Sequence, residues 1–404
     1  MADIFPPTRE AAFARAAAVR PHDYARSRNA LQGSVSRLSP YITHGLISAP
    51  EVLAAVNDLH SLGVQHKWVF ELGWRAYFRH VWQHRSAGIL ESLHDGPLPQ
   101  AFYAKQLPAD IRGAVTGVPV IDMAVRALYA TGYLHNHARM WLASYVVHVR
   151  KVHWRVGADW LYGHLLDGDL ASNHLSWQWV AGTGSRKPYL FNADNVARFA
   201  PAEWHSKGSV IDQSYEALDQ LARNPTVCEH QGVQAPYAEP PRTEPPVLKE
   251  PPSKFGWTAP DGLAVAGRDV WLVHPWNLGE LPAYLPADAA VVGVLLNEFH
   301  QVWPWSERRW TFVLSRMAEM VTLRWQGDAA AMATALRGAR SVSSVDEPHL
   351  SPWLAGFATC EAAPALFPVV ERRCDAFSQW WPRASRGMDS AAQLLAASKA
   401  VQPV

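Results

Sequence analysis

Residues 154–191 read WRVGADWLYGHLLDGDLASNHLSWQWVAGTGSRKPYLF. Within this stretch stand two acids two apart, Asp167 and Asp169, an amide at Asn173, and two tryptophans two apart, Trp177 and Trp179. Alone, the Asp-Gly-Asp pair reads first as a helix N-terminus, with a metal site as the other option. Three upstream segments widen the pattern. VSRLSPYI at residues 35–42 sets hydroxyls and backbone amides ahead of a helix, which suits either an N-cap and turn or the cradling of a diphosphate. ELGWRAYF at residues 71–78 puts Glu71, Trp74 and Arg75 on neighbouring positions of one helix, where an ion pair beside a core tryptophan is the simpler reading. TGYLHNHARM at residues 131–140 sets Asn136, as a candidate cap, and Arg139 at the head of a helix.

Around these segments, residues 1–223 read as almost wholly helical, with apolar side chains at three- and four-residue spacing. Met140, Leu142, Tyr145, Val146 and Val149 give a broad apolar face to a helix expected over residues 136–152. Another is expected from Pro119 to Ala130, with Asp122 in its first turn complementing the helix dipole. Residues 226–256 then carry repeated Glu-Pro-Pro elements, which cannot continue a helix and read as a semi-rigid linker in extended polyproline geometry. Beyond it the periodicity changes. Strands expected at residues 269–274, 290–296, 321–325 and 341–345 alternate with helices at 307–320 and 328–337, the pattern of a parallel sheet covered by helices. The expected organisation is a helical domain at residues 1–225, the linker, and a small Rossmann-like α/β domain at residues 257–404 with a C-terminal tail.

A chain of 404 residues exceeds one small core, and 49% apolar with 18% charged residues excludes disorder or a fibrous repeat as the overall class. The 37 basic and 36 acidic residues leave a formal charge of +1, so the surface as a whole is not built to coat a polyanion. The charge is uneven, however. Residues 1–225 hold 22 basic and 18 acidic side chains (+4) and the remainder 15 and 18 (−3), which directs any phosphate partner to the first half. The three cysteines, Cys228, Cys360 and Cys374, make no disulfide framework and no CxxC metal motif, so no metal is expected and a reducing compartment is. With neither a basic-then-apolar leader nor an apolar run near the ~20 residues that span a bilayer, the expected location is cytoplasmic, with no membrane partner. Nineteen tryptophans call for an explanation, since each must bury a large ring and find its N–H a partner.

In this order, the four segments together resemble the FAD-binding helical domain of the DNA photolyase and cryptochrome family, over roughly residues 24–192. In that family they read approximately T-S-R-L-S-P-Y-L, E-L-x-W-R-E-F, T-G-x-x-H-N-R-x-R-M and D-G-D-x-A-x-N-x-x-x-W-Q-W. The resemblance implies FAD as cofactor, with Tyr24, Ser36, Arg37, Leu38 and Ser39 toward its phosphates and ribityl chain and Arg75, Asn136 and Gly168 also around it. It implies an Arg139–Asp167 ion pair against the flavin ring, Asp169 at the pyrimidine edge accepting from the ring N–H, and Asn173 beside N5. An amide there brings no acidic proton, as a light-driven electron donor requires. Trp177 and Trp154 match the first two members of the chain of indoles that reduces the flavin under light. Ala101 stands at the third position, leaving Tyr103 or Trp160 as substitutes.

Substrate class rests on the same resemblance. Members that repair (6-4) photoproducts carry histidines where this chain has Asn136 and Met140, because that chemistry needs a proton donor. Here Asn136, Met140, Glu71 and Trp74 match the members that act on cyclobutane dimers, in which Glu71 would hydrogen-bond to, and Trp74 stack on, a flipped-out thymine dimer. The expected function is therefore light-driven repair of cyclobutane pyrimidine dimers in DNA, by electron transfer from reduced FAD. The other reading is a non-repairing cryptochrome-like photoreceptor or redox flavoprotein whose C-terminal domain signals to a protein partner. Tyr133, His137, Leu175 and Ser176 depart from the family pattern near the pocket. The α/β half looks like the family's antenna domain in permuted order, with HPWNL at residues 274–278 in place of the usual Arg-Arg-Asp-Leu, and an antenna chromophore of open identity is its possible second pigment.

Overall fold

A computed structural model describes residues 4–226 and 240–400. By their internal contacts these fall into two compact units, one holding the described residues of 20–35 and 78–245 and the other those of 1–19, 36–77 and 246–404. This division differs from a break at the Pro-rich linker. Its physical basis lies in residues 44–45, which join the α/β half: His44 Nδ1 lies 2.6 Å from the Pro275 carbonyl, and the Leu278 amide donates to the His44 carbonyl at 3.0 Å. Gly45, at φ 71°, permits this approach, since a Cβ there would lie 2.5 Å from the Trp276 carbonyl.

Several helices come before Pro119 in the sequence, and two of them are long. The first, α1 (Ala49–His60), opens on a capping box in which Ser48 and Glu51 satisfy each other's backbone amides. The second, α2 (Lys67–Arg85), carries the ELGWRAYF segment.

The helical unit is built around α3 (Pro119–Thr131), α4 (Asn136–Ser144), α5 (Trp154–His164) and α6 (Leu170–Ala181). Asp122 does more than face the dipole: its Oδ1 accepts from the Thr116 amide and hydroxyl, both at 2.8 Å, and its Oδ2 from the Gly117 amide at 3.2 Å, closing the turn before α3. The helix expected over residues 136–152 stops short, passing into a π-helical turn at Tyr145–Val149. Lys151 ends it, with φ at 50° and a fully buried ammonium that donates to the carbonyls of His148, Leu221 and Ala222 at 2.7, 2.6 and 3.0 Å. Trp141, Tyr145, Val146, Trp154 and Trp177 lie in its core. The linker is only partly described, residues 227–239 (with Cys228) lying outside the described residues. Its residues 240–245 belong to this unit, where the Glu244 carboxylate accepts from Trp160 Nε1 at 2.9 Å and meets His164 Nε2 at 3.1 Å, while the residues from 246 on belong to the other unit.

In the other unit, β1 (Asp269–Val273), β2 (Ala290–Leu296), α7 (Glu307–Met320), β3 (Leu323–Gly327), β4 (Ser341–Val345) and β5 (Thr359–Glu361) follow in sequence. The five strands are all parallel and ordered β3-β2-β1-β4-β5, a doubly wound arrangement. The third strand starts two residues later than its apolar run suggests, because Val321 is the C-cap of α7. The C-terminal residues are not a loose tail. They form α8 (Phe377–Ala384) and α9 (Ala391–Ala400), with α9 packed against α1. The tryptophan excess is spent largely on buried positions, Trp276, Trp303, Trp305, Trp310 and Trp325 in this unit among them. The fully buried Arg309 guanidinium lies 4.0 Å from the Trp305 ring centre. Among the described residues no helix is long and apolar enough to cross a membrane.

Candidate functional site

The turn from α5 into α6 brings two carboxylates under the protein surface, each with its own arginine. Asp169 is the N-cap of α6: its Oδ1 accepts from the Ser172 amide at 2.7 Å, and its Oδ2 lies 2.6 Å from Arg79 Nη2, with the Asp169 side chain fully buried. Asp167 receives Arg139 Nη2 on both oxygens, at 3.0 and 2.8 Å, while Arg139 Nε donates to the Leu134 carbonyl at 2.8 Å. Gly168 separates the two acids. A buried carboxylate left without a cation would be strongly destabilising, so these pairs are needed for the turn to fold. One turn into α6, Asn173 donates from Nδ2 to the Ala158 carbonyl at 2.8 Å, which fixes its amide against α5. Next to it His174 is fully buried. Its Nε2 lies 2.8 Å from Asp159 Oδ1 and its Nδ1 2.9 Å from the Leu170 carbonyl, so both ring nitrogens face acceptors. Arg155 completes this group by donating to Asp159 at 2.5 Å.

Trp177 and Trp154 are both buried in the same unit. The Trp154 indole donates to Ser92 Oγ at 3.0 Å. It lines a small cavity together with His153 and Tyr103, the ring centres lying 5.7 Å apart from Trp154 to His153 and 6.3 Å from His153 to Tyr103. Burial pushes the Tyr103 phenol above its ordinary pKa. Trp160, the other candidate for the missing third ring, is engaged elsewhere, bonded to Glu244 and packed edge-on against Tyr129 at 6.3 Å.

Asn136 is the first residue of α4 and not its cap. That role belongs to His135, whose Nδ1 accepts from the His137 amide at 3.1 Å. Asn136 is exposed and sits 3.8 Å from Met140 Sδ through its Nδ2. The departure at His137 has a structural use: its ring packs 4.4 Å from Trp141, and its nitrogens meet the Asn29 carbonyl at 2.7 Å and Tyr189 Oη at 3.2 Å. Burial lowers its pKa. Tyr133 lies 5.6 Å from the Arg139 guanidinium, ring centre to carbon, so this departure supports the Arg139–Asp167 pair. Tyr24 belongs to the same unit, on the helix Pro21–Ser27.

The other expected site residues fall in the α/β unit. Arg37 has a left-handed backbone at φ 52°, Leu38 is buried, and Ser39, after Ser36, opens the helix Ser39–Thr43. Arg75 Nη2 donates to Thr43 Oγ1 at 3.0 Å, tying α2 to that helix. Glu71 pairs with Lys67 at 3.4 Å. Trp74 is covered by Phe377 from α8, the two rings lying 4.1 Å apart at 12°.

Residues 68–239 match the family model described as the FAD binding domain of DNA photolyase. Over these residues the chain is similar to the photolyase/cryptochrome family. A deoxyribodipyrimidine photo-lyase from Streptomyces griseus is 35% identical over 164 residues, which is 40% of this chain and 36% of that protein. A cryptochrome DASH from Idiomarina loihiensis is 32% identical over 209 residues, 49% of this chain and 46% of the relative. Among solved structures, a Synechocystis sp. PCC6803 cryptochrome matches with a TM-score of 0.42 and 28% identity, over 48% of this chain and 43% of that one. The chain thus spans less than half the length of each of these relatives.

The donor set at the α5–α6 turn fits the ring of a photolyase-type flavin. It offers two carboxylates as acceptors, two guanidinium groups that neutralise them, and a neutral amide. The sequence did not indicate that Arg79 pairs with Asp169, nor the His174–Asp159–Arg155 group. Arg79 lies one residue past the quoted ELGWRAYF segment and one turn beyond Arg75, a spacing that marks a shared face without naming the partner.

Proposed function

We propose that this chain binds FAD and uses light to split cyclobutane pyrimidine dimers in DNA, as a deoxyribodipyrimidine photolyase. The observation that carries this reading is the turn in which Arg139–Asp167 and Arg79–Asp169 flank the start of α6, in the same unit as the buried indoles Trp154 and Trp177. When bound and reduced, FAD supplies the single electron that cleaves the dimer. Arg139, Asp167, Gly168, Asp169 and Asn173 would hold the flavin ring, while Tyr24, Ser36, Arg37, Leu38 and Ser39 would serve the phosphates and ribityl chain, with Arg75 and Asn136 also near the cofactor. Asn173 contributes a neutral amide and no acidic proton. The ring centres of Trp154, His153 and Tyr103 follow one another at 5.7 and 6.3 Å, and Tyr103 is the residue proposed to pass an electron inward from solvent reductants. Glu71, Trp74, Asn136 and Met140 would receive the dimer, with damaged DNA attracted by the +4 excess of residues 1–225.

The proposed division of labour keeps residues 1–225 for FAD, 226–256 as linker and 257–404 as an antenna-like domain that could carry a second pigment. A cytoplasmic location is proposed from the cysteine usage, three widely spaced cysteines being odd in number and too few for a disulfide framework. A second reading, a non-repairing photoreceptor or redox flavoprotein with a protein partner, is favoured by one observation, the Phe377 ring over Trp74. The test mixes the reduced holoprotein with ultraviolet-irradiated oligo(dT) and follows dimer loss under blue light. Loss of dimers supports repair, and full photoreduction without loss supports the second reading. A protein that stays colourless after FAD is offered overturns both.

A further inference from the structure

The sequence carries Glu-Pro-Pro three times, at residues 239–241, 244–246 and 250–252. Among the described residues, Glu250 is exposed, whereas Glu244 enters a pocket of the helical unit. Trp160 and His164, one turn apart on α5, form its walls together with Tyr129 on α3. The ring centres lie 5.0 Å apart from Tyr129 to His164, 5.9 Å from Trp160 to His164 and 6.3 Å from Tyr129 to Trp160, inclined by 59°, 68° and 82°, so the rings make a cup and not a stack. In it, Glu244 Oε1 accepts from Trp160 Nε1 at 2.9 Å and lies 3.1 Å from His164 Nε2, while Oε2 lies 3.4 Å from Arg112 Nη1. The Tyr129 hydroxyl donates to the Arg112 carbonyl at 3.1 Å, which keeps that residue beside the pocket. Burial pushes the Glu244 carboxyl up, but its contacts with His164, Trp160 and Arg112 outweigh this and hold it below its ordinary value.

The neighbouring residues are held through the backbone. The Arg242 amide donates to the Gly113 carbonyl at 2.8 Å, and Arg126 Nη2 to the Pro240 carbonyl at 3.2 Å. Residues 240–243 are exposed, and residues 240–246 form neither helix nor strand. Pro241 and Pro245 stand on either side of the seated glutamate. Proline fixes φ near the extended polyproline value, so such a segment loses little conformational freedom on docking. Aromatic-lined grooves that take a proline-rich strand, and arginines that take an acidic side chain, are two recurring ways in which proteins recognise peptides. Both are present here on one surface.

We infer that the pocket of Arg112, Tyr129, Trp160 and His164 is a recognition site for a carboxylate-bearing, proline-rich peptide, and that residues 240–245 of this chain are its resident ligand, read through Glu244. Neither FAD nor DNA takes part. The carboxylate is the element that gives specificity, because each of its oxygens faces a donor. A glutamine there has one acceptor oxygen, and its NH2 would be turned against a second donor. Since residues 240–243 are exposed, loss of the carboxylate opens the segment locally while the helical unit stays folded.

The experiment uses the full-length protein, its Glu244→Gln and Glu250→Gln variants, and limited trypsin digestion followed by mass spectrometry at the Arg242–Thr243 bond. The expected result is cleavage there roughly ten- to a hundredfold faster in Glu244→Gln, as the loss of a hydrogen-bonded charge allows. Glu250→Gln, which changes the exposed copy, is cut at the parent's rate. Where Glu244→Gln is also cut within its helices, Trp160→Phe, which keeps a ring and removes the N–H, replaces it and is expected to speed cleavage at the same bond. In a second arm, a fluorescent peptide of residues 240–247 binds Glu244→Gln but not the parent, whose tethered segment competes at an effective concentration on the order of millimolar. The same peptide carrying Glu244→Gln binds neither protein. Equal cleavage in the parent and in the pocket variants overturns the inference, and so does equal acceleration by Glu250→Gln, which would make the effect one of net charge. A peptide that binds equally with and without its carboxylate, or that fails to bind the opened variant, overturns the recognition site.

Discussion

A Cβ built on Gly157 would lie 2.4 Å from both Cζ3 and Cη2 of Trp177, so a glycine in the middle of α5 is what allows the helix to meet this indole. Gly157→Ala sets two effects against each other. Alanine gains about 1 kcal/mol of helix propensity, while overpacking a rigid ring in a buried site costs about 1–3 kcal/mol. The clash is with the far edge of a flat, buried side chain, so overpacking wins. The expected result is a loss of about 1–2 kcal/mol in urea denaturation, with slower photoreduction because the indole is moved. A variant more stable than its parent would show that the contact is slack.

The Arg79–Asp169 pair gives a second prediction. Breaking a buried pair costs about 3–5 kcal/mol because the remaining charge is stranded, and since the Arg79 side chain is 26% exposed the lower end applies. Arg79→Met should therefore destabilise the protein by about 3 kcal/mol and weaken FAD retention. The double variant Arg79→Met, Asp169→Asn should recover part of the loss, since no charge is then left alone. Equal stability of the single and double variants in urea titrations would count against this account.

The sequence was legible where a residue's neighbours along the chain determine its role. Asp269–Val273, Ala290–Leu296 and Glu307–Met320 follow directly from apolar periodicity, and the Arg139–Asp167 pair from the family motif. It was silent where the partner is remote. Phe377 and Trp74 are about three hundred positions apart, and nothing in FSQWWPRA at residues 377–384 says which surface those rings cover. The early end of α4 was hidden for the same reason, because the carbonyls that hold Lys151 include Leu221 and Ala222 from a distant helix. The division into units was hidden by His44, whose partner Pro275 lies in the other half of the sequence.

Tyr103 and Trp160 can be separated by paired variants. Only Tyr103 is joined to Trp154 by a short line of rings. Tyr103→Phe keeps the packing but removes the readily oxidised phenol, and should slow photoreduction of bound FAD by external thiol under continuous blue light. Trp160→Phe should leave that rate unchanged while weakening the hold on Glu244. Transient electron paramagnetic resonance should show a tyrosyl radical that Tyr103→Phe abolishes. If Trp160→Phe is instead the slow variant, electrons enter along α5 and the route through His153 is wrong.

His148 gives the protein a defined response to acid. Its ring is wholly buried in the π-helical turn, Nε2 donates to the Val180 carbonyl at 2.9 Å, and burial pushes its pKa down from 6.5 to about 4. The folded state thus binds fewer protons than the unfolded state between pH 6.5 and 4. Stability from this group is complete above the unfolded value and is lost as pH falls from 6.5 toward 4, amounting to about 3 kcal/mol over that window. His300, buried in the α/β unit and pushed down to about 3, acts with the same sign there. Urea denaturation of the parent should weaken steadily across this interval, and His148→Gln, which keeps a donor for Val180 but cannot titrate, should lower the slope by the equivalent of one proton. An unchanged slope in that variant would mean that His148 is already protonated in the folded protein.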